Sequence, residues 1–454
     1  MTTRTPAAQP PAPEPAAPSA TETKTKTATA SATASVDLVA LAKLEKLAID
    51  LRHHAGSNLG FPDAADLDIT PLLPLFGTLL NNVGAPFGPP GPYRGHTKAF
   101  EQVVVQQFAD LFRAPWDDRW GYVTSGATEG THCALWQART RFPDAVVVAS
   151  SAAHYSVPRV AGMLRMPLLT VPTDDRDEID YGQLAARVRR YRHRWRRSRR
   201  TAPVVVVASI GTTMTEAVDD VRQIHAALDV AGVPDALRWV HADAALAGIP
   251  LGLLDPGKRP GFDVADGSTS LVVSGHKFLG VPTPCAVLIV RDSARPTGHG
   301  RYGGYVDYTG SLDTTVAGSR SGHTPLLLWW ALQTWGLDGL RARAEQARTL
   351  AAATTARLRE IGWNAWRHPH ALTVVLDRPP QPVLDRWPLA VQGDRAHLVC
   401  MPGKTMAMVD AFVADLRHAA GPATAATSVA VPAPRSAGLS NPAAATTPDG
   451  VLPC

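Results

Sequence analysis

A series of short runs along the chain is apolar without alternation: Ala145–Ala149, Val204–Ile210, Trp239–His241, Leu271–Val273 and Ala286–Val290. A strand with one wet face alternates, so unbroken Val/Ile runs separated by helical stretches predict a mostly parallel sheet covered on both sides. The run Trp120–Thr124 precedes them, introduced by an apolar helix through Val103–Phe112. Earlier still, Leu38, Leu41, Leu44, Ala48 and Leu51 step by three or four between Lys43, Glu45, Lys46 and Asp50. That spacing predicts an amphipathic helix over 38–53, of the kind that packs on a neighbour or a second subunit. The stretch from Gly60 to Gly88 is rich in turns and reads as helical around Ile69–Leu80, lining the entrance of a site. Beyond Leu326 a long helical region leads to a strand at Ala371–Leu376 and a last helix at Ala407–His418. The expected fold class is therefore α/β, a large domain with a mostly parallel sheet and a smaller α+β C-terminal domain.

Composition trims both ends of this picture. Residues 1–36, and those from about 420 to 454, are mostly Thr, Ala, Pro and Ser without apolar periodicity, and they are expected to be disordered tails. Between them the reading is an N-terminal helical segment at 37–95, a large domain at 96–315 and a small domain at 316–419. No apolar core of a signal peptide and no run of about 18 apolar residues occurs, so a soluble cytoplasmic protein acting away from membranes is expected. Cys133, Cys285, Cys400 and Cys454 are too scattered for a disulfide framework or a ligand pair. The formal charge is +5, and much of the excess sits in one run from Arg187 to Arg200. A nucleic-acid footprint is one reading of that run. It ends immediately before a buried-looking strand, which favours an exposed helix with its connection, and no nucleic-acid partner is expected.

Candidate chemistry gathers where the strands end. Ser125, Gly126 and Ala127 follow a strand and open a helix, where small residues and outward N–H groups suit a phosphate. Such turns are also common without one, and this turn has neither a P-loop ending nor a G-x-G-x-x-G fingerprint. His154, after the next strand, is placed to stack on a planar ligand or to hydrogen-bond within its own loop. Thr212 and Thr213 bring hydroxyls to the same edge. Asp243 ends the strand Trp239–His241 and needs a cationic or hydrogen-bonding partner; a protonated pyridine nitrogen, a metal or a structural cap would each serve, and Ala245 leaves room for a flat ring. Lys277, directly beyond Leu271–Val273 with Ser274 and His276 beside it, supplies an amine able to form a Schiff base. An amine, an acid, hydroxyls and an imidazole at successive strand ends point to covalently held pyridoxal 5'-phosphate. A zinc site built on His241, Asp243 and His276 is the main competitor; it lacks H-E-x-x-H and leaves Lys277 idle. A hydrolase triad lacks its G-x-S-x-G elbow. No metal is expected.

The chain resembles the pyridoxal-phosphate-dependent group II amino-acid decarboxylases, closest to the branch with bacterial histidine decarboxylase and plant serine decarboxylase. The resemblance runs over about 58–415. It is carried by Trp120–Thr124 with Thr128-Glu129-Gly130, by His154-Tyr155-Ser156-Val157, by Ile210–Thr213 with Ala217–Asp220, by His241–Leu246, by Val273–Phe278, by Gly318–His323 and by Gln392–His397. It implies the aspartate-aminotransferase type I fold, a homodimer with active sites at or near the subunit interface, and decarboxylation of a small-molecule L-amino acid. By the same resemblance Lys277 is the Schiff-base lysine, Asp243 the partner of the pyridine nitrogen and His154 the residue on the ring. Ser125, Gly126 and Ala127, joined by Ser274 and His276, take the phosphate positions. The chain departs from its relatives at Thr131, Leu312, Ser321 and Ala85, positions that leave the cofactor set intact but lie near the substrate or the dimer contact. Histidine is the first expectation for substrate, with serine or a small aliphatic amino acid such as valine as alternatives and Asn81, Asn82 and Ala85–Phe87 as a candidate wall. Aminotransferase and non-enzymatic binding readings stand behind decarboxylation.

Overall fold

The structure is a computed structural model that describes residues 37–89, 91–196, 202–296, 303–420 and 451–452. Residues up to His53 group as a unit of their own, in which the chain is helical from Leu38 to Ala55 (α1). None of the residues of α1 is buried, so its apolar stripe at Leu38, Leu41, Leu44 and Leu51 faces out, with Lys46 and Asp50 paired one turn apart. The expectation for 1–36 lies outside the described residues, as does that for the C-terminal tail apart from Val451–Leu452, which pairs with Leu168 and Leu169.

The second unit carries the fold. Its large sheet is built from β1 (Trp120–Thr124), β2 (Val146–Ser150), β3 (Leu168–Val171), β4 (Val204–Ser209), β5 (Arg238–Asp243), β6 (Ser270–Ser274) and β7 (Ala286–Val290), in spatial order β1-β7-β6-β5-β4-β2-β3. From β6 to β3 all neighbours are parallel, and β7 runs against both β6 and β1. Helices α2 (Lys98–Leu111), α3 (Ala127–Arg141), α4 (Ser156–Met163), α5 (Tyr181–Arg196), α6 (Val221–Val230) and α7 (Gly248–Gly252) cover it. Successive strand residues go to opposite cores. Val146, Val148, Val204, Val206 and Val240 join one, with Phe108 and Ile224 of the helices, while Val147, Val205, Val207, Trp239 and Val272 join the other, with Leu135 and Val160. Burial on both faces is the physical reason the runs do not alternate.

Downstream come the hairpin β8 (Gly304–Val306) and β9 (Ser311–Asp313), and then the long helix α8 (His323–Glu360), broken at Gly336 where φ is 56°. A second sheet follows, made of β10 (Ala365–Trp366), β11 (Thr373–Asp377), β12 (Ala390–Gln392) and β13 (Arg395–Val399), in the antiparallel order β10-β11-β13-β12, with α9 (Gln381–Arg386) and α10 (Met406–Ala420). Core packing divides along α8. Leu327, Leu340 and Ala347 belong to the large core, whereas Ala351 and Leu358 join Val374, Leu398 and Phe412 in the small one.

The arginine run begins on α5, where Arg187 donates to Thr170 O at 2.8 Å and Arg189 to Val230 O at 2.7 Å. Arg192 donates to Gly232 O. These side chains cap the carbonyl ends of neighbouring elements, as an exposed helix does. Residues 197–201 lie outside the described residues.

Helix α3 lies so close to β6 that a Cβ on Gly130 would meet Val272 Cγ2 at 2.4 Å. The helix and strand both border the candidate site, so this contact sets their spacing. Gly130→Ala is expected to destabilise the fold by about 1–3 kcal/mol despite the better helix propensity of alanine, because the core must overpack. Urea denaturation of the two proteins measures the difference.

Candidate active site

The parallel strands end on one side of the sheet, and a cavity of about 460 Å³ opens there. Its wall includes Gly126, Ala127 and Thr128 from the start of α3, His154 after β2, Thr212 and Thr213 after β4, and Asp243 and Ala245 at the end of β5. Ser274, His276 and Lys277 close it from the end of β6. Nearly every residue proposed from sequence is thus brought to one cavity. Ser125 sits at the edge and does not line it. Its hydroxyl and its N–H both donate to Glu129, at 2.6 and 2.8 Å, and the other carboxylate oxygen of Glu129 accepts from Tyr122 at 3.0 Å. That arrangement locks the turn and leaves the phosphate-sized opening to the first N–H groups of α3, which have no intrahelical acceptors.

Asp243 and Lys277 stand at the ends of adjacent strands, since Asp243 pairs in register with Val272 of β6. Burial pushes the Asp243 carboxyl above its ordinary range, with Lys277, His154 and the Ala245 N–H pulling it back. The only hydrogen bond to this carboxylate among the described residues is long, from Ala245 N at 3.4 Å. An acid held in a wall with so little satisfaction calls for a donor from the cavity. Burial likewise depresses the Lys277 amine, opposed first by Asp243 and then by Glu216. Burial lowers His154 too, against the pull of Asp243. Its Nδ1 accepts the Ser156 N–H at 3.3 Å and lies 2.7 Å from Ser156 Oγ, so the neutral ring carries its proton on Nε2. His276 is pinned with Nδ1 at 3.0 Å from Cys285 N and 2.9 Å from Cys285 O.

Thr212 lines the cavity together with the exposed Thr213. Its hydroxyl also pairs with Thr215 Oγ1 at 2.9 Å and accepts the Ala217 N–H at 3.0 Å, so it closes the turn after β4. His241 is sealed between Ser270 Oγ at 2.9 Å and Thr131 Oγ1 at 3.1 Å, and burial pulls its pKa down to about 3. It is a neutral core histidine. Among the described residues no group of His, Cys, Asp or Glu is arranged to hold a metal ion.

The rest of the wall comes from the expected entrance segment and from elements that sequence reading left unassigned to the site. Gly60, Phe61 and Pro62 line the cavity, as expected for an entrance segment, and they are joined by Ala390, His397 and Val399 of the small domain. His397 was legible only as part of the family resemblance. The proposed wall of Asn81, Asn82 and Ala85–Phe87 is not on this cavity. Asn82 is buried, donating to Glu101 at 2.8 Å and accepting the Thr97 N–H at 2.8 Å, and Asn81 bonds to Arg320 N and Ser319 Oγ. These amides knit the entrance segment to the start of α2, through Asn82, and to the residues just before α8, through Asn81.

The residues present fit pyridoxal phosphate: an amine for its aldehyde, an under-satisfied acid for its ring nitrogen, an imidazole beside the ring space and a helix N-terminus for its phosphate. A family model described as the pyridoxal-dependent decarboxylase conserved domain matches residues 96–363. The chain belongs to this family. It is 42% identical over 376 residues to a histidine decarboxylase of Mesorhizobium japonicum, covering 83% of this chain and 97% of the relative. It is 35% identical over 365 residues to serine decarboxylase 3 of Oryza sativa subsp. japonica, covering 79% and 77% respectively. Among solved structures, the L-methionine decarboxylase of Streptomyces sp. 590 superposes with a TM-score of 0.73 at 25% identity, covering 84% of this chain and 94% of that one. The protein is a pyridoxal-phosphate-dependent amino-acid decarboxylase of group II, with the type I fold of that family.

The two buried charges predict a measurable coupling. A neutral Lys277 amine is favoured by burial and disfavoured by the Asp243 carboxylate. Removing that carboxylate in Asp243→Asn therefore lowers the Lys277 pKa further. In the cofactor-free decarboxylase, the pH profile for acetylation of Lys277 by acetic anhydride, with acetate leaving, is expected to move to lower pH in the variant; an unchanged or raised profile would show that the two groups do not interact.

Proposed function

We propose that this decarboxylase converts L-histidine to histamine and carbon dioxide. The observation that supports this most is the bacterial histidine decarboxylase, of which the chain spans nearly the whole length at the highest identity quoted above. Serine is the second reading, favoured by the rice relative. When bound, pyridoxal phosphate supplies the electron sink for the charge left behind as carbon dioxide departs. In this reading Lys277 would hold the cofactor through its aldehyde. Asp243 keeps the pyridine nitrogen protonated. His154 would lie against the ring, and Gly126, Ala127, Ser274 and His276 would hold the phosphate, with Ser125 keeping their turn in shape. The Phe61, Ala390 and Val399 side of the cavity excludes water from the reacting carbon and faces the substrate side chain.

The decarboxylase is further read as a homodimer acting on a free amino acid. Tyr305 and Tyr308 of the β8–β9 region are 62% and 87% exposed, and Tyr93 and Phe87 are exposed on the segment that touches it through Gly91 and Thr309. That is a large aromatic surface to leave in water. Tyr308→Asp is expected to shift the protein toward monomer in sedimentation velocity, and an unchanged dimer would remove this face from the interface. No helix among the described residues is long and apolar enough to cross a membrane.

Incubating the cofactor-loaded enzyme with each of the twenty common L-amino acids tests the substrate directly. Histamine is the expected amine. Ethanolamine alone would make serine the substrate, isobutylamine alone would make it valine, and a keto acid without carbon dioxide would point to transamination. Asp243→Ala is expected to retain some cofactor and to lose about 10²-fold or more in kcat, because the charge stabilisation at the ring nitrogen is gone.

A further inference from the structure

The turn after β4 does more than present Thr213. It closes on itself through Gly211 N and Thr212 N, which donate to Ala217 O at 3.0 and 2.9 Å, and through the bridge between Ile210 and Val218. At its apex Glu216 adopts φ 57°, in the left-handed region that a residue with a Cβ enters only at a cost in strain. Glu216 is also 2% exposed. A strained backbone and a buried acid at one position need a common reason. Its Oε2 accepts the N–H of Leu372 at 3.0 Å and of Thr373 at 2.7 Å, the residue before β11 and the first residue of that strand in the small domain. Burial raises the carboxyl, the hydrogen bonds from Thr373 and Leu372 and the charge of Arg367 lower it again, and its own charge acts on Lys277.

The consequence runs through one register. β11 pairs with β13, with Thr373 opposite Val399 and Val375 opposite His397. Val399 and His397 line the same cavity as Lys277. His397 ties the same joint a second time, with Nδ1 at 3.2 Å from Met214 O of the turn and Nε2 at 3.1 Å from Gly60 O of the entrance segment. The cofactor contacts all stand on strand ends of the large sheet, whereas Ala390, His397 and Val399 stand on the small one.

We propose that Glu216 is a positioning residue that registers the small domain against the cofactor cavity, setting the substrate-side wall at His397 and Val399 by accepting the N–H groups of Leu372 and Thr373 where β11 begins. The left-handed backbone is what lets the side chain leave the closed turn and cross to the other domain. A glycine would satisfy the turn without strain and would make no crossing. The role rests on the cofactor dependence of the family and is independent of which amino acid is decarboxylated.

Glu216→Gln keeps the length and an acceptor oxygen, Glu216→Ala removes the acceptor, and Glu216→Gly removes it while relieving the strain. Native-state hydrogen exchange on the cofactor-free protein, which needs no turnover, reads the clamp itself. The amides of Leu372 and Thr373 are expected to exchange at least about tenfold faster in the Ala and Gly variants and within about threefold of the parent in Gln, as local opening of a small contact set requires. On the loaded enzyme, kcat/KM is expected to fall by about 10²-fold in Ala and Gly, as a displaced wall implies, with cofactor affinity by fluorescence titration changed by less than about threefold and with Gln restoring most of the rate. Unchanged exchange at Leu372 and Thr373 in Ala and Gly overturns the proposal. So does cofactor affinity that falls in step with kcat/KM, or a Gln variant as impaired as Ala. A failure to find histamine as product leaves each of these readings intact.

Discussion

The constraint on which the rest of the site depends is the burial of an amine and a carboxylate at the ends of two adjacent parallel strands. Neither Lys277 nor Asp243 is comfortable in its charged form there, and burial is the largest influence on both. Each is partly relieved by the other. Neither is fully satisfied, because the hydrogen bond on Asp243 is long and the cavity stands open before it. A planar ligand carrying a cationic ring nitrogen and an electrophilic carbon meets both needs at once, which is why the pair suits pyridoxal phosphate better than a structural ion pair. A structural pair would have drawn its partners from the protein.

The sheet makes that pairing rigid. Asp243 opposes Val272 in a ladder sealed on both faces, so the carboxylate moves only if the core moves. The close approach of Gly130 to Val272 then ties the helix that offers its N-terminus to the same strand that leads to Lys277. Charge, amine and anion site are therefore fixed by one contact layer, the arrangement that a preorganised site requires. Around them hydroxyls and acids close turns: Glu129 under Ser125, Thr212 across its own loop, and Asp219, whose carboxyl burial pushes up to about 7 while it accepts N–H groups of Ser209 and Ile179.

What the sequence shows of this depends on how local the signal is. The strands β2, β4, β5, β6 and β7 are legible because burial on two faces removes polar residues from them, and the first four carry a cavity residue at or just beyond their ends. The short strands are not. β3 has four residues with partly exposed sites, and β13 places Arg395 and His397 in its run because one side of it meets the cavity and the domain joint. Thr212 and Thr213 look equivalent in sequence; both line the cavity, and the structure shows that the Thr212 hydroxyl also closes the turn. Asn82 shows the same limit in reverse. A polar residue beside an entrance segment reads as a substrate contact, yet its amide is consumed by Glu101 and Thr97, which also places the Arg320–Glu101 pair.

The cavity is divided between the two sheets. The residues that fit the cofactor stand at the ends of strands whose positions are set by a sealed core. The rest of the wall includes Phe61, Ala390, His397 and Val399, borne on a strap and on a small antiparallel sheet. Its placement rests on a handful of crossing bonds, among them Lys404 to Asp63, Val399 N to Leu59 O and Ala64 N to Lys277 O. A methylene more or less on such a wall alters discrimination by about 10 to 200-fold, and a lost polar partner by about 10⁴ or more where a site is built to bond it. Specificity thus changes by altering that wall or its crossing bonds, while the amine, the acid and the helix N-terminus remain where the large sheet holds them.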